Sequence, residues 1–103
     1  MRDYTFYVYI LSNPKRTVLY IGVTNSMVRR LDEHIKNKLK GNTFASKYNC
    51  GDIIYYEVFQ YVNEAIAREK QLKKWNRKKK EELISSYNRH WLSLNENFKI
   101  DDE

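Results

Sequence analysis

Hydrophobic positions along this chain switch between two periods, and the switches mark its elements. Residues 5–11 (TFYVYIL) and 18–23 (VLYIGV) are dense in β-branched and aromatic side chains, and the SNPKRT stretch between them holds the only proline. That pattern predicts an antiparallel hairpin. Residues 53–59 (IIYYEVF), introduced by Gly51-Asp52, predict a third strand. Between hairpin and third strand the period changes. Met27, Val28, Leu31, Ile35 and Leu39 recur at helical spacing, so residues 26–39 form a helix that Asn25 or Ser26 can cap and that Gly41 and Asn42 stop. Residues 40–51 are a polar loop. Two further helices are predicted at 64–75, capped by Asn63, and at 77–86, capped by Asn76, with a short helical turn over 90–95. The order β-β-α-β-α-α predicts an α+β fold, a small antiparallel sheet covered by helices.

Alternation splits the hairpin into two faces. Phe6, Val8 and Ile10 in the first strand go with Leu19, Ile21 and Val23 in the second. Tyr7 and Tyr9 go with Val18, Tyr20 and Gly22. A glycine inside a good strand weakens it, and close approach of a ligand or another backbone is one reason to keep it. Plain amphipathic packing explains the tyrosines equally well at this stage.

On the 64–75 helix, Ala65, Ile66, Leu72 and Trp75 share a broad apolar arc, and Glu69 falls inside it. A carboxylate there is costly unless it is paired, for instance with Lys73, or binds a metal ion. A single carboxylate suits Mg²⁺, which keeps most of its waters. On the first helix Arg29 should be solvated, whereas Arg30 lies on the flank one turn before His34. Arginine forks to phosphate oxygens and histidine can position a water. Two ordinary surface residues are the alternative.

Composition and charge narrow the partners. Aromatic residues make up 15% of the chain, mostly nine tyrosines, which excludes a disordered composition. The net charge is +6, but residues 1–95 carry 18 basic and 9 acidic groups, a net +9, because Glu96, Asp101, Asp102 and Glu103 crowd the last eight residues. The expectation is one domain over 1–95 followed by an acidic, flexible tail over 96–103. Residues 68–80 hold Arg68, Lys70, Lys73, Lys74, Arg77, Lys78, Lys79 and Lys80 against the single acid Glu69. Such a run suits counterion-releasing contact with a nucleic-acid backbone. One cysteine, Cys50, cannot form an internal disulfide or a zinc cluster. No apolar run approaches the ~20 residues of a membrane span. A reducing, cytoplasmic compartment and no membrane partner are the expectations, and the oligomeric state is not legible.

These pieces form a pattern. Tyr7-Val8-Tyr9 and then Tyr20-Ile21-Gly22 resemble the paired tripeptides of the GIY-YIG nuclease family. Arg30 follows Gly22 at the spacing of that family's arginine. The stretch Arg68-Glu69-Lys70-Gln71-Leu72-Lys73-Lys74-Trp75 resembles its metal-glutamate helix, most of all in the small stand-alone UPF0213 group. The resemblance spans roughly residues 4–92. It implies a three-stranded antiparallel sheet flanked by helices and a metal-dependent endonuclease acting on DNA sooner than RNA. It further implies Tyr9 and Tyr20 as the motif tyrosines, Gly22 as the motif glycine and Arg30 as the phosphate-binding arginine. Glu69 would hold one Mg²⁺ or Mn²⁺, and His34 matches an accessory position. The chain departs from the pattern at Tyr7, where the family name has glycine. The family's late asparagine falls on Asn88, although Arg89 replaces the usual proline, and Asn76 competes for the position. A non-catalytic module that binds nucleic acid through the basic helix and the tyrosine face is the competing class. An accessory domain of a larger assembly is a third.

Overall fold

The computed structural model describes residues 5–38 and 48–98, with the side chains of 34–38 outside that description. Strands β1 (Phe6–Ser12), β2 (Leu19–Thr24) and β3 (Asp52–Phe59) form an antiparallel sheet in the order β2-β1-β3. Helix α1 (Met27–Lys38) connects β2 to β3, and α2 (Val62–Lys74) and α3 (Arg77–Tyr87) follow β3. The α+β architecture is the one the element order predicted.

The two faces of the hairpin bury two different cores. Val8, Ile10 and Ile21 meet Ala65 and Leu72 of α2 and Ile84 of α3 on the aliphatic face. Tyr9 and Leu11 meet Met27 of α1 together with Cys50 and Ile53 on the other, rimmed by Tyr7, Tyr20, Tyr56 and Phe98. The sheet is thus the middle of three layers, with α2 and α3 on one side and α1 on the other. Among the described residues no helix is long and apolar enough to cross a membrane.

A bulge in β3 decides what each layer receives. Ile10 pairs with Tyr55 and Leu11 with Ile53, so Ile54 has no opposite number in β1. The extra residue reverses the alternation. Ile54 and Tyr55 both join the aliphatic core, while Ile53 and Tyr56 join the tyrosine side. Asn88, the C-cap residue of α3, holds this bulge. Its amide nitrogen donates to the Ile54 carbonyl at 2.9 Å and to the Leu92 carbonyl at 2.7 Å, and its oxygen accepts from the Leu92 N–H at 3.0 Å. Replacing Asn88 by alanine strands those backbone groups and is expected to cost about 2–4 kcal/mol of stability, read by urea denaturation. Aspartate, which has the shape but no donor, should do no better. Unchanged stability in both variants would remove the clamp.

Several sequence expectations shift. Helix α2 starts at Val62, because Gln60 and Tyr61 suffice to turn the chain out of β3. Asn63 therefore lies inside the helix, and the cap residue Tyr61 makes no side-chain cap bond. Asn76 caps α3 as predicted, accepting from the Lys79 N–H at 2.8 Å. Val28 and Ile66, placed on apolar faces, are each 37% exposed, since Met27 and Leu72 already fill the ground beneath those helices. The helical turn predicted at 90–95 forms instead as a 3-10 turn at Asn95–Phe98. Leu94 donates its N–H to the Ile53 carbonyl, and the Phe98 ring packs edge-on against Tyr7 and Tyr56 with centroids 5.6 and 4.9 Å away. Residues 96–98 thus belong to the folded body, not to a tail. Residues 99–103, the Gly41-Asn42 helix stop and Leu39 lie outside the described residues.

Candidate active site

The site is organised by a missing side chain. Tyr9 stands directly opposite Gly22 across the β1–β2 ladder, and its ring lies over that glycine. A Cβ on Gly22 would sit 2.5 Å from Tyr9 Cζ and press on the hydroxyl. Close approach of a neighbouring ring therefore explains the glycine. Gly22→Ala is expected to destabilise the protein by about 1–3 kcal/mol, since the fully buried ring has nowhere to retreat. Urea denaturation reads the effect, and wild-type stability would mean that the ring can turn away.

Lying over Gly22 carries the Tyr9 hydroxyl to β2, the sheet edge next to α1. There Arg30 Nε donates to it at 2.8 Å. The same guanidinium reaches Glu33 through Nη1 at 3.4 Å, and its side chain keeps 35% of its surface exposed. Arg30 is therefore fixed at one corner and open at another, the arrangement needed to offer N–H donors to an anion. Burial of Arg30 works to lower its pKa, but the neighbouring Tyr9 and Tyr20 and its hydrogen bonds together raise it, so the charge is permanent. Tyr20 lies beside Tyr9, ring centroids 6.5 Å apart, and is only partly buried.

Glu69 arrives from the opposite layer. On α2 it flanks the buried pair Ala65 and Leu72 on the side away from Arg68, whose guanidinium is turned to Glu57 of β3. This sets Glu69 toward β2 and β1, against which α2 packs. Its side chain is only 16% exposed, and its charge is the smallest of the influences that raise the Tyr9 pKa. One oxygen is held by Lys73 Nζ at 3.1 Å. Of the two sequence readings of Glu69, the lysine partner is present on one oxygen.

Burial pushes the Tyr9 hydroxyl above its ordinary pKa. The Arg30 charge and hydrogen bond pull it down without reversing the shift, and Tyr20 and Glu69 push it further up. Tyr9 is thus a neutral phenol near pH 7, accepting from Arg30. Burial is the largest single influence on Tyr9, and the net shift is upward.

The structure brings Tyr9, Tyr20, Gly22 and Arg30 together, and Glu69 is sheltered on α2, which packs against β1 and β2. It does not bring Asn88 to them. Asn88 is bonded to β3, two strands from β2, or roughly 10 Å across the sheet, and its polar atoms are engaged with backbone. Its assignment as a site residue is corrected to a clamp on the bulge. Tyr7 packs with Tyr56 and Phe98 rather than at the Arg30 corner. The side chain of His34 lies outside the described residues. Glu33 was missed by sequence reasoning, although its spacing of three from Arg30 was the available signal.

The basic run 68–80 does not act as one surface. Arg68 is bidentate to Glu57, which also accepts from the Tyr55 hydroxyl, and its guanidinium lies 5.1 Å from the Trp75 ring centroid. Arg77 bonds Glu81 and the carbonyls of Arg16 and Thr17. The Lys79 ammonium stands 4.2 Å from the centroid of the same Trp75 ring.

Comparison with known proteins identifies a family. The family model described as the GIY-YIG catalytic domain matches residues 5–82. A UPF0213 protein of Clostridium perfringens is 38% identical over 84 residues, covering 78% of this chain and 83% of the relative. A UPF0213 protein of Haloquadratum walsbyi is 32% identical over 83 residues, covering 81% of this chain and 89% of the relative. The solution NMR structure of a UPF0213 protein from Bacillus halodurans resembles this fold with a TM-score of 0.52 at 28% identity, over 82% of this chain and 86% of that one.

Proposed function

Because this chain belongs to the GIY-YIG catalytic domain family, we propose that it is an endonuclease that hydrolyses phosphodiester bonds in nucleic acid, DNA sooner than RNA, with one divalent cation on Glu69. The observation that carries the reading is the meeting over Gly22. Arg30 holds the Tyr9 hydroxyl at 2.8 Å with Tyr20 beside it, and Glu69 is sheltered on α2, the helix that packs against the same two strands.

The donor set fits a hard, hydrated ion. No group of three or more His, Cys, Asp or Glu side chains that could cage a metal occurs among the described residues. One sheltered carboxylate beside a tyrosine suits Mg²⁺ or Mn²⁺, which retain most of their waters. Such an ion, when bound, supplies Lewis-acid stabilisation of the phosphate and the leaving oxygen.

The chain's own residues divide the remaining work. Arg30 offers its outward N–H groups to the phosphate and neutralises charge that builds as the bond breaks. Tyr9, out of solvent reach, positions Arg30 instead of touching the substrate. Tyr20 is the tyrosine that an attacking water can approach, which makes it the better placed proton acceptor or relay, with His34 as the other candidate. Basic side chains of residues 68–80 supply the surrounding attraction for the polyanion.

The test is a panel of labelled DNA and RNA structures incubated with Mg²⁺, Mn²⁺ or EDTA. Cutting with either cation and none with EDTA is expected. Binding without cutting under every condition would instead make the chain a nucleic-acid-binding module.

A further inference from the structure

Around the axis of α2 the charges fall into two sets. Arg68 and the acid Glu64, four residues apart, share the flank that faces β3, where Arg68 is committed to Glu57 and Gln71. Past the buried pair Ala65 and Leu72 comes Glu69, then Lys73, and then Lys70 and Lys74 on the outer surface. No acid of the helix lies among these lysines beyond Glu69 itself. Lys70 and Lys74 are exposed and have no partner among the described residues, and Lys73 is 54% exposed while reaching Glu69. Lys73 and Lys74 in the last turn also complement the helix dipole, but Lys70 lies a turn too early for that to explain it.

The geometry points to a track. Lys73, Lys70 and Lys74 carry the sugar-phosphate backbone of a nucleic acid away from the site, over the outer flank of α2, while Arg68 and Arg77 belong to the protein's own framework. This rests on the hydrolytic reading for the kind of partner. Lys73 touches the candidate metal ligand, so the track begins at the site, and its next two members follow along one helical face. Arg68 is turned away from it, and Arg77 is spent on Glu81 and the β1–β2 turn.

The test measures binding of a short labelled DNA duplex in EDTA, so that nothing is cut, by fluorescence anisotropy across a salt series. Two charge-matched double variants are compared with the wild type. One is K70A/K74A. The other is K15A/R89A, which removes exposed bases elsewhere. Each phosphate contact contributes ~0.9 to the slope of log affinity against log salt, so K70A/K74A should lose about 1.8 and bind roughly tenfold or more weakly near 0.1 M salt. K15A/R89A should retain the wild-type slope. Both variants should melt as the wild type does, since all four positions are exposed and, at Lys70 and Lys74, alanine favours helix. An unchanged slope in K70A/K74A overturns the track. An equal loss in both variants also overturns it, by tracing the attraction to overall charge. If the slopes fall as expected but no cation supports cutting, the hydrolytic reading fails and the track stands. Cutting with an unaffected K70A/K74A slope has the reverse meaning.

Discussion

Glu69→Gln is expected to lower cation-dependent cleavage by about 10³-fold or more, with the fold intact. The size follows from the role. A cation anchored at the phosphate contributes several kcal/mol to the transition state, and each ~1.4 kcal/mol is tenfold in rate. Glutamine keeps the shape of the side chain and a carbonyl oxygen for Lys73, but loses the charge that holds a divalent ion. The structural cost should be small. The Glu69–Lys73 pair has a half-exposed lysine, and such pairs contribute roughly 0–1 kcal/mol. Activity and stability should therefore separate, with cleavage nearly gone and the urea midpoint close to wild type. Cleavage at the wild-type rate by a folded Glu69→Gln protein would remove Glu69 from the mechanism.

Arg30→Ala should cost about 10²–10³-fold in cleavage, mostly in kcat, because the guanidinium acts on charge that develops as the bond breaks. Arg30→Lys is the sharper variant. Lysine keeps the charge but not the fork, so it cannot hold the Tyr9 hydroxyl from one nitrogen while turning others to a phosphate. It should recover little of the lost rate. Arg30→Ala leaves the buried Tyr9 hydroxyl without its donor, at a cost of about 1–2 kcal/mol. Removing the guanidinium also removes the charge and hydrogen bond that lower the Tyr9 pKa, so that group stays a neutral phenol even more firmly. If Arg30→Lys cut as fast as wild type, arginine would be acting as a simple positive charge and its contact with Tyr9 would be irrelevant to the chemistry.

What could be read from the sequence is what obeys a local period or a short spacing. The hairpin, its two faces, the third strand and the Asn76 cap all depend on neighbours within a few residues. The proximity of Tyr9 to Gly22 follows from alternation and register across a short turn. Glu69 was legible as a charge in an apolar arc. Asn88 was not legible, because the partner that defines it is a carbonyl 34 residues earlier in the chain. The exposure of Val28 and Ile66 depends on how much sheet lies under each helix, which their own periodicity does not reveal. The basic run looked like one cationic surface because sequence counts charges. Arg68 and Arg77 find their partners on β3 and the β1–β2 turn, and only the fold brings those segments near.

The extra residue at Ile54 makes β3 behave like a reading frame. Upstream of it one parity of positions faces α1, and downstream the other does. Losing that single residue would invert the upstream half at a stroke: Ile53 would be offered to the wrong layer, and the Asp52 carboxylate would swing away from Arg16, which now holds it at 2.7 Å. No point substitution can imitate that inversion. Length is thus a tighter constraint on this strand than chemistry, and any register-based redesign of the sheet must count from Tyr55, not from Asp52.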